Sequence, residues 1–493
     1  MTTKLRNCAA FSGIAVLIWI FLIGNFNGIS KAIAVIVCFP LALMAFKMFN
    51  TLICKYKSKL KKHAKLYSFI ALSIMFVLLL VCGFMNRQNP VHTPKPSLPD
   101  VSIAIRGAQH LAMGDPLSNV EYFSKYPNTH ALLFFFTGIG KILVFLTGSA
   151  EHLYSVAIVI NAVLITLTVF LVMKCSAMLS GTRAAAFSFV LCFFFSPLYL
   201  VMPLTYTDTI AMTAMAAALY FFIRFIRKQR LYNLALSGII CALGTIFKPT
   251  VAIFMIAAVI ILLLSKHSVL KRATILILAF AIVFVGFTIP INNSGLISDE
   301  LYDIYKYPPQ HWVMMSLSGS GGFNNEANSF TTNAGNYEQK QENINNEIIL
   351  ILNEKGFFGT MHHLLFTKVA AMWDSGTLGL YNRIQDCQSP NPIQWVITTP
   401  VPAALIAAGA QGIYAAILSF SLICAIRKRK NMLFQTLLLT LTGAFLFFMI
   451  WEAEGRYMLQ FMPIFFVLAA VGARSAFDRT AAMKNKVTRM LRR

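Results

Sequence analysis

The sequence predicts an all-α polytopic membrane protein with about 12 transmembrane helices, and three observations carry that prediction. Apolar stretches near the roughly 20 residues that cross a bilayer recur along the whole chain. Of the 493 residues, 57% are hydrophobic and only 12% charged, which argues against a soluble domain of any size. The basic residues sit in short clusters between the apolar stretches, as the positive-inside bias produces.

Candidate spans lie at about 8–25, 30–50, 66–85, 153–174, 184–203, 208–226, 231–248, 250–265, 272–291, 401–425, 432–451 and 458–473. The first follows Lys4 and Arg6 like a signal peptide, but no small-x-small cleavage site follows it. It is expected to stay as a helix. The cluster from Lys55 to Lys65, the groups Arg224–Arg230 and Lys266–Arg272, the run Arg427–Lys430 and the basic tail from Arg474 mark cytoplasmic loops, which puts both termini in the cytoplasm. Residues 131–147 are long enough to span, yet a crossing there would force every later basic loop outside. We therefore expect an interfacial or re-entrant helix, which also suits Lys141 in its middle. Seventeen of the eighteen acidic residues, all but Asp478, then fall on the outer side.

This reading divides the chain into two N-terminal helices with a basic loop (1–65), a membrane core (66–291) containing a first outer loop (86–152), a large outer loop (292–400) and C-terminal helices with a basic tail (401–493). The large loop is polar and too long for a connector, which marks it as functional or disordered. Its segment 356–373 is amphipathic and is expected on the membrane surface. The net charge of +24 follows from 42 Lys+Arg against 18 Asp+Glu. Because those charges flank apolar spans, they indicate membrane topology and not nucleic-acid binding. The nine cysteines are scattered without CxxC or Cys/His clusters, so no metal site or redox pair is indicated. No Walker, Rossmann or nuclease motif is present, and no internal repeat.

Chemistry-bearing residues gather at the outer ends of the expected spans. Asp100 opens the first outer loop, followed by Arg106, His110, Asp115, Lys125 and Tyr126. A carboxylate just outside the membrane and near cations is what a general base needs when a lipid-linked substrate is met there. Tyr206 and Asp208 fall in the turn PLTYTDT, where Asp208 could equally cap a helix. Lys248 lies in the apolar stretch GTIFKPTVAI, where an ionisable group is costly and a point-charge ammonium suits a phosphate. Glu452, Glu454 and Arg456 share the turn WEAEGRY, and a guanidinium binds phosphate bidentately.

In this order, the residues resemble the GT-C superfamily of membrane glycosyltransferases. The likeness covers about 66–473 and is carried by Asp100, the A-x-x-L-A-x-G-D-P stretch, Tyr126-Pro127, the P-L-T-Y-T-D and G-T-I-F-K-P-T turns, and E-x-E-G-R-Y-x-x-x-F-x-P. The branch it looks like contains bacterial protein mannosyltransferases and aminoarabinose transferases, within a cell-envelope group. The resemblance implies a GT-C-like bundle with interfacial helices and a sugar donor on a polyprenyl phosphate. Asp100 would deprotonate an acceptor hydroxyl for an inverting displacement. Lys248, Arg456 and Arg106 would bind the donor phosphate. His110, Lys125, Tyr126, Tyr206, Asp208, His311, Trp312, Trp373, Asp374 and Glu454 would contact substrate. The acceptor would be an extracytoplasmic glycopolymer or protein of the cell envelope, and the partners would be that acceptor, the lipid-linked donor and the bilayer, at the plasma membrane. A monophosphate donor calls for no metal or other cofactor. The family often pairs a second acid with its first-loop Asp; here the neighbours are Pro99 and Val101. Two other classes compete. An O-antigen-type polymerase or ligase would rely on Arg and His in the late loop, such as His311. A lipid-linked sugar transporter would need polar residues lining a path mid-membrane, whereas these spans are nearly free of charge in their middles and the charged residues gather on one side.

Overall fold

The architecture comes from a computed structural model, which describes residues 2–87, 99–265, 269–384 and 391–491. Lys266, Cys387 and the terminal Arg492 and Arg493 lie outside the described residues. All described regular structure is helical. Among the described residues, ten helices are long and apolar enough to cross a membrane.

Helices α1 (Thr2–Phe26), α2 (Ile29–Lys55), α3 (Lys57–Lys62) and α4 (Ala64–Met85) lead into the first loop region. There α5 (Pro99–Met113), α6 (Val120–Lys125) and α7 (His130–Thr147) follow. The core continues with α8 (Leu153–Phe193), α9 (Pro197–Leu200), α10 (Thr207–Lys228), α11 (Leu231–Phe247), α12 (Ala252–Leu263) and α13 (Val269–Asn292). Among the described residues, seven helices then occupy the large loop: α14 (Asp299–Tyr305), α15 (Gln310–Leu317), α16 (Asn325–Thr332), α17 (Tyr337–His362), α18 (Lys368–Trp373), α19 (Leu380–Ile384) and α20 (Pro392–Thr398). Finally α21 (Pro400–Lys428), α22 (Met432–Ile450) and α23 (Met462–Leu491) close the bundle.

The innermost helix is α23, packed between α21, α8 and α10. Apolar chains gain little by leaving lipid for protein, so membrane helices are held by close packing at small residues. Gly472 shows this: a Cβ there would sit 1.9 Å from the Phe420 carbonyl oxygen of α21. Gly412 plays the same part between α21 and α2, where a Cβ would lie 2.7 Å from Cys38. Thus α1 and α2 pack directly on the C-terminal helices α21 and α22.

Four expected spans differ from the observed helices. The apolar run 153–203 folds as α8, broken at Ser180–Gly181 with Gly181 at φ 75°, and its second half ends at Phe193. Pro197 then opens the short α9, because proline lacks the N–H that a continuing helix would use. The spans expected at 231–248 and 250–265 appear as α11 and α12, of 17 and 12 residues. At 1.5 Å per residue these are short of a straight crossing. Lys248-Pro249 separates them, and the residue before a proline is pushed out of the helical region. In the large loop, α17 kinks at Gly356 (φ 60°). Phe357 and Phe358 beside the kink are 71% and 85% exposed, whereas Lys368, Val369, Met372 and Trp373, further along the segment expected on the membrane surface, are buried inside the protein.

Charged side chains mark both ends of the bundle. At one end, Arg183 pairs with Asp478, Arg474 donates to the Ser180 carbonyl and Arg227 to the Met178 carbonyl. At the other end lie the first turn of α5, the start of α10, the α11–α12 turn and the α22–α23 turn.

Candidate functional site

Those four turns meet around a cavity of about 370 Å³, within the roughly 300–1,000 Å³ of small-molecule sites. Local sequence explains how each presents its side chain. Asp100 is in the first turn of α5 and Asp208 in the first turn of α10, where the helix dipole favours a carboxylate. Lys248 is extended (φ −147°) because Pro249 follows it, which breaks the helix and turns the ammonium toward Asp208. Between α22 and α23 the chain runs extended from Trp451 to Glu454, then winds into a 3₁₀ turn, Gly455–Phe461, that carries Arg456 and Tyr457.

Arg456 is the hub. Its Nε donates to Glu454 Oε2 at 2.7 Å and its Nη2 to Asp100 Oδ2 at 3.4 Å, while Nη1 lies 3.9 Å from Asp208 Oδ2. The guanidinium also lies over the rings of Tyr206 and Tyr457, at 5.7 and 5.5 Å. Lys248 forms an ion pair with Asp208, whose side chain is 2% exposed. Arg383 Nε donates to the second oxygen of Glu454 at 2.7 Å. Asp100 is oriented from its other side by the Tyr122 hydroxyl at 3.3 Å, and Tyr122 in turn meets the Tyr206 hydroxyl at 3.0 Å.

An aromatic wall faces these charges. Trp312 stacks on Trp451 with ring centres 5.4 Å apart and planes 8° apart, and Phe447 stacks on Trp451 at 5.6 Å. The wall is pinned by Lys368, buried in α18, which donates to the Ser316 hydroxyl and to the Met449 and Trp451 carbonyls, the last two at 3.2 and 2.9 Å. The Ala453 N–H donates to the Gly321 carbonyl at 2.9 Å. These bonds satisfy backbone groups that the extended Trp451–Glu454 strip leaves unpaired.

The environment divides the ionisable groups. Burial pushes the Lys368 ammonium down to about 7. Burial, followed by the charge of Glu454, pushes the Glu452 carboxyl up to about 7. Burial acts on Glu454 in the same direction, but Arg456 and Arg383 more than offset it and hold Glu454 below its ordinary value. His311 is pushed down to about 4 by burial and Lys125.

Of the residues singled out in the sequence, Asp100, Tyr126, Tyr206, Asp208, Lys248, His311, Trp312, Glu454 and Arg456 line this cavity. Five others do not. Arg106 stands six residues along α5 from Asp100, about 9 Å further at helical rise. With His110 it lines a separate hollow beside Asp115 and Glu151. Lys125 pairs with Glu121 and lies over Tyr307. Trp373 is fully buried against Phe465. Asp374 pairs with Lys31 and accepts from Asn27 at 3.2 Å, so it ties the α1–α2 turn to the large loop. Conversely, Tyr122, Arg383, Trp451, Glu452 and Tyr457 line the cavity without having been singled out as substrate contacts. Arg383 carried a usable signal: it is a basic residue on the expected outer side, the same anomaly that marked Arg456.

Fold and site together define a multi-pass integral membrane protein with a charged cavity at one end of its helix bundle. The chain belongs to the family described as conserved hypothetical integral membrane protein, whose model matches residues 27–477. No curated protein matches it. Among solved structures it is similar to the archaeal oligosaccharyltransferase AglB from Archaeoglobus fulgidus in complex with an inhibitory peptide and a dolichol-phosphate. That match has 14% identity and a TM-score of 0.47, and covers 86% of this chain and 52% of that one. It is also similar to the Archaeoglobus fulgidus oligosaccharyltransferase in complex with Zn and sulfate, at 14% identity and TM-score 0.47, covering 83% and 49%. The chain spans about half the length of these structures. A likeness at this level decides nothing about chemistry.

Proposed function

We propose that this chain is a membrane glycosyltransferase of GT-C type. It moves a sugar from a polyprenyl-phosphate donor to an acceptor hydroxyl of the cell envelope, with inversion at the anomeric carbon. The observation that carries this reading is the convergence of Asp100, Asp208, Lys248 and Arg456, from remote parts of the chain, in one cavity at the ends of apolar helices. In this reading the cavity faces the extracytoplasmic side and both termini face the cytoplasm, as the distribution of basic residues supports.

The donor's lipid lies among the helices and its phosphate beside Lys248 and Arg456. Asp100, 32% exposed at its side chain, takes the proton of the acceptor hydroxyl. That oxygen bonds to the anomeric carbon as the bond from that carbon to the phosphate oxygen breaks. The electron pair leaves with the phosphate, which becomes a polyprenyl monophosphate, and the proton passes to solvent. Negative charge grows on the phosphate through the transition state, and fixed cations placed there lower the barrier. Lys248 and Arg456 are held by carboxylates before the donor arrives, so they are oriented in advance. The chemistry calls on no metal.

The test supplies purified protein with radiolabelled polyprenyl-phosphate sugars and cell-envelope fractions. Label is expected to pass to envelope polymer or protein, and Arg456→Ala is expected to abolish it. Absence of transfer by the wild-type protein across donors overturns the reading. One observation favours a polymerase or ligase as the second reading: His311 lines the cavity with its Nε2 buried and, among the described residues, without a hydrogen-bond partner.

A further inference from the structure

Four carboxylates line the cavity, and three of them are held by cations. Asp100 meets Arg456, Asp208 meets Lys248, and Glu454 meets both Arg456 and Arg383. Glu452 is the exception: among the described residues no cation lies within ion-pair distance of it. It is 8% exposed, and its hydrogen-bond partner is the Tyr457 hydroxyl, which donates at 3.4 Å. A buried carboxylate without a cation is costly unless a proton or a ligand satisfies it.

Its position says what that ligand is. The ring of Tyr457 carries Lys248 Nζ at 4.4 Å and the Arg456 guanidinium at 5.5 Å from its centre. One tyrosine therefore touches the cations with its ring and Glu452 with its hydroxyl. A phosphate bound at those cations places the group attached to it within reach of Glu452. That group cannot be another anion, which Glu452 and Glu454 would repel. A neutral group rich in hydroxyls fits, and the neighbouring Trp312 and Trp451 offer apolar surface to the C–H groups of a sugar ring.

We propose that Glu452, steadied by Tyr457, binds a hydroxyl of the transferred sugar and so sets which sugar the protein accepts. This rests on the transferase reading above. Burial and the charge of Glu454 keep Glu452 partly protonated near neutral pH, which lets it donate as well as accept. A site built to bond a particular hydroxyl discriminates strongly against a substrate that lacks or misplaces it.

The experiment gives full-length protein undecaprenyl phosphate carrying glucose, mannose, galactose or arabinose, with a cell-envelope acceptor fraction, and compares initial transfer rates. The wild type is expected to prefer one donor. Glu452→Gln and Tyr457→Phe are expected to shrink that preference about 10- to 100-fold, the worth of a hydrogen bond to a charged group. Binding of undecaprenyl phosphate alone, measured in both variants, is expected to stay unchanged, which also shows that they fold. An unchanged preference, an equal loss toward all donors, or lost binding of undecaprenyl phosphate in Glu452→Gln overturns the assignment. A wild-type protein that transfers none of these sugars overturns the transferase reading itself.

Discussion

Lys248 and Asp208 form a buried ion pair that joins the turn between α11 and α12 to the first turn of α10. The ammonium expected to meet a phosphate is therefore already held by a carboxylate. The pair shares its acid with Arg456, which makes the three side chains one unit.

Removing one partner strands the other. Lys248→Met is expected to lower stability by about 3 kcal/mol, because the buried Asp208 loses its nearest cation. The double variant Lys248→Met/Asp208→Asn is expected to recover most of that stability while remaining inactive. Thermal unfolding in detergent and label transfer measure the two effects separately.

Arg456→Lys keeps the charge and loses the planar fork that bonds Glu454 and Asp100 at once. Transfer is expected to fall by about 100-fold or more, the usual cost of removing a donor that stabilises developing charge. A rate within a few-fold of wild type counts against a phosphate at Arg456.

Asp100→Asn and His311→Ala separate the two readings of the enzyme. With Asp100 as base, Asp100→Asn is expected to reduce the rate roughly 100- to 10,000-fold, while binding of undecaprenyl phosphate persists. A loss confined to His311→Ala favours the ligase.

Glu452 makes stability depend on pH. Its carboxyl is pushed up to about 7 in the folded protein, so between the unfolded value near 4.3 and about 7 the folded state binds more protons than the unfolded state. The groups influencing it are Glu454, Arg456, Tyr457 and Asp100. Its contribution is fully present below about pH 4.3 and is lost as pH rises through about 7. Unfolding midpoints of the wild type minus those of Glu452→Gln are therefore expected to decline across that window. A flat difference contradicts the buried, cation-free setting of Glu452.

Asp374 lies outside the cavity, in a partly exposed pair with Lys31. Asp374→Asn is expected to leave transfer unchanged and to alter stability by no more than about 1 kcal/mol. A large kinetic effect would mean that the large loop rearranges to bring Asp374 to the substrate.

Several of the cavity's charged residues stood out in the sequence because each is a charge where apolar surroundings or topology disfavour one. Lys248 interrupts an apolar stretch, and Arg456 is a cation on the expected outer side. Trp373 and Asp374 were also expected at the substrate, yet Trp373 packs on Phe465 of α23 and Asp374 ties the α1–α2 turn to the large loop. Unusual residues mark constraint, and a packing constraint reads the same as a catalytic one. Glu452 went the other way: in the turn WEAEGRY nothing in the sequence set it apart from Glu454 beside it.

The sequence by itself determined the class of protein and the positions of most helices, because apolar length, flanking charge and proline act within a few residues of chain. Only the tertiary structure decided which charges are neighbours. The approach of the first turn of α5, the start of α10, the α11–α12 turn and the α22–α23 turn joins residues as much as 356 positions apart. That approach depends on how small residues such as Gly472 let helices close on one another. It is also what leaves Glu452 without a cation while pairing the other three acids, since a cation's reach is only a few ångströms and the packing sets which acids fall within it.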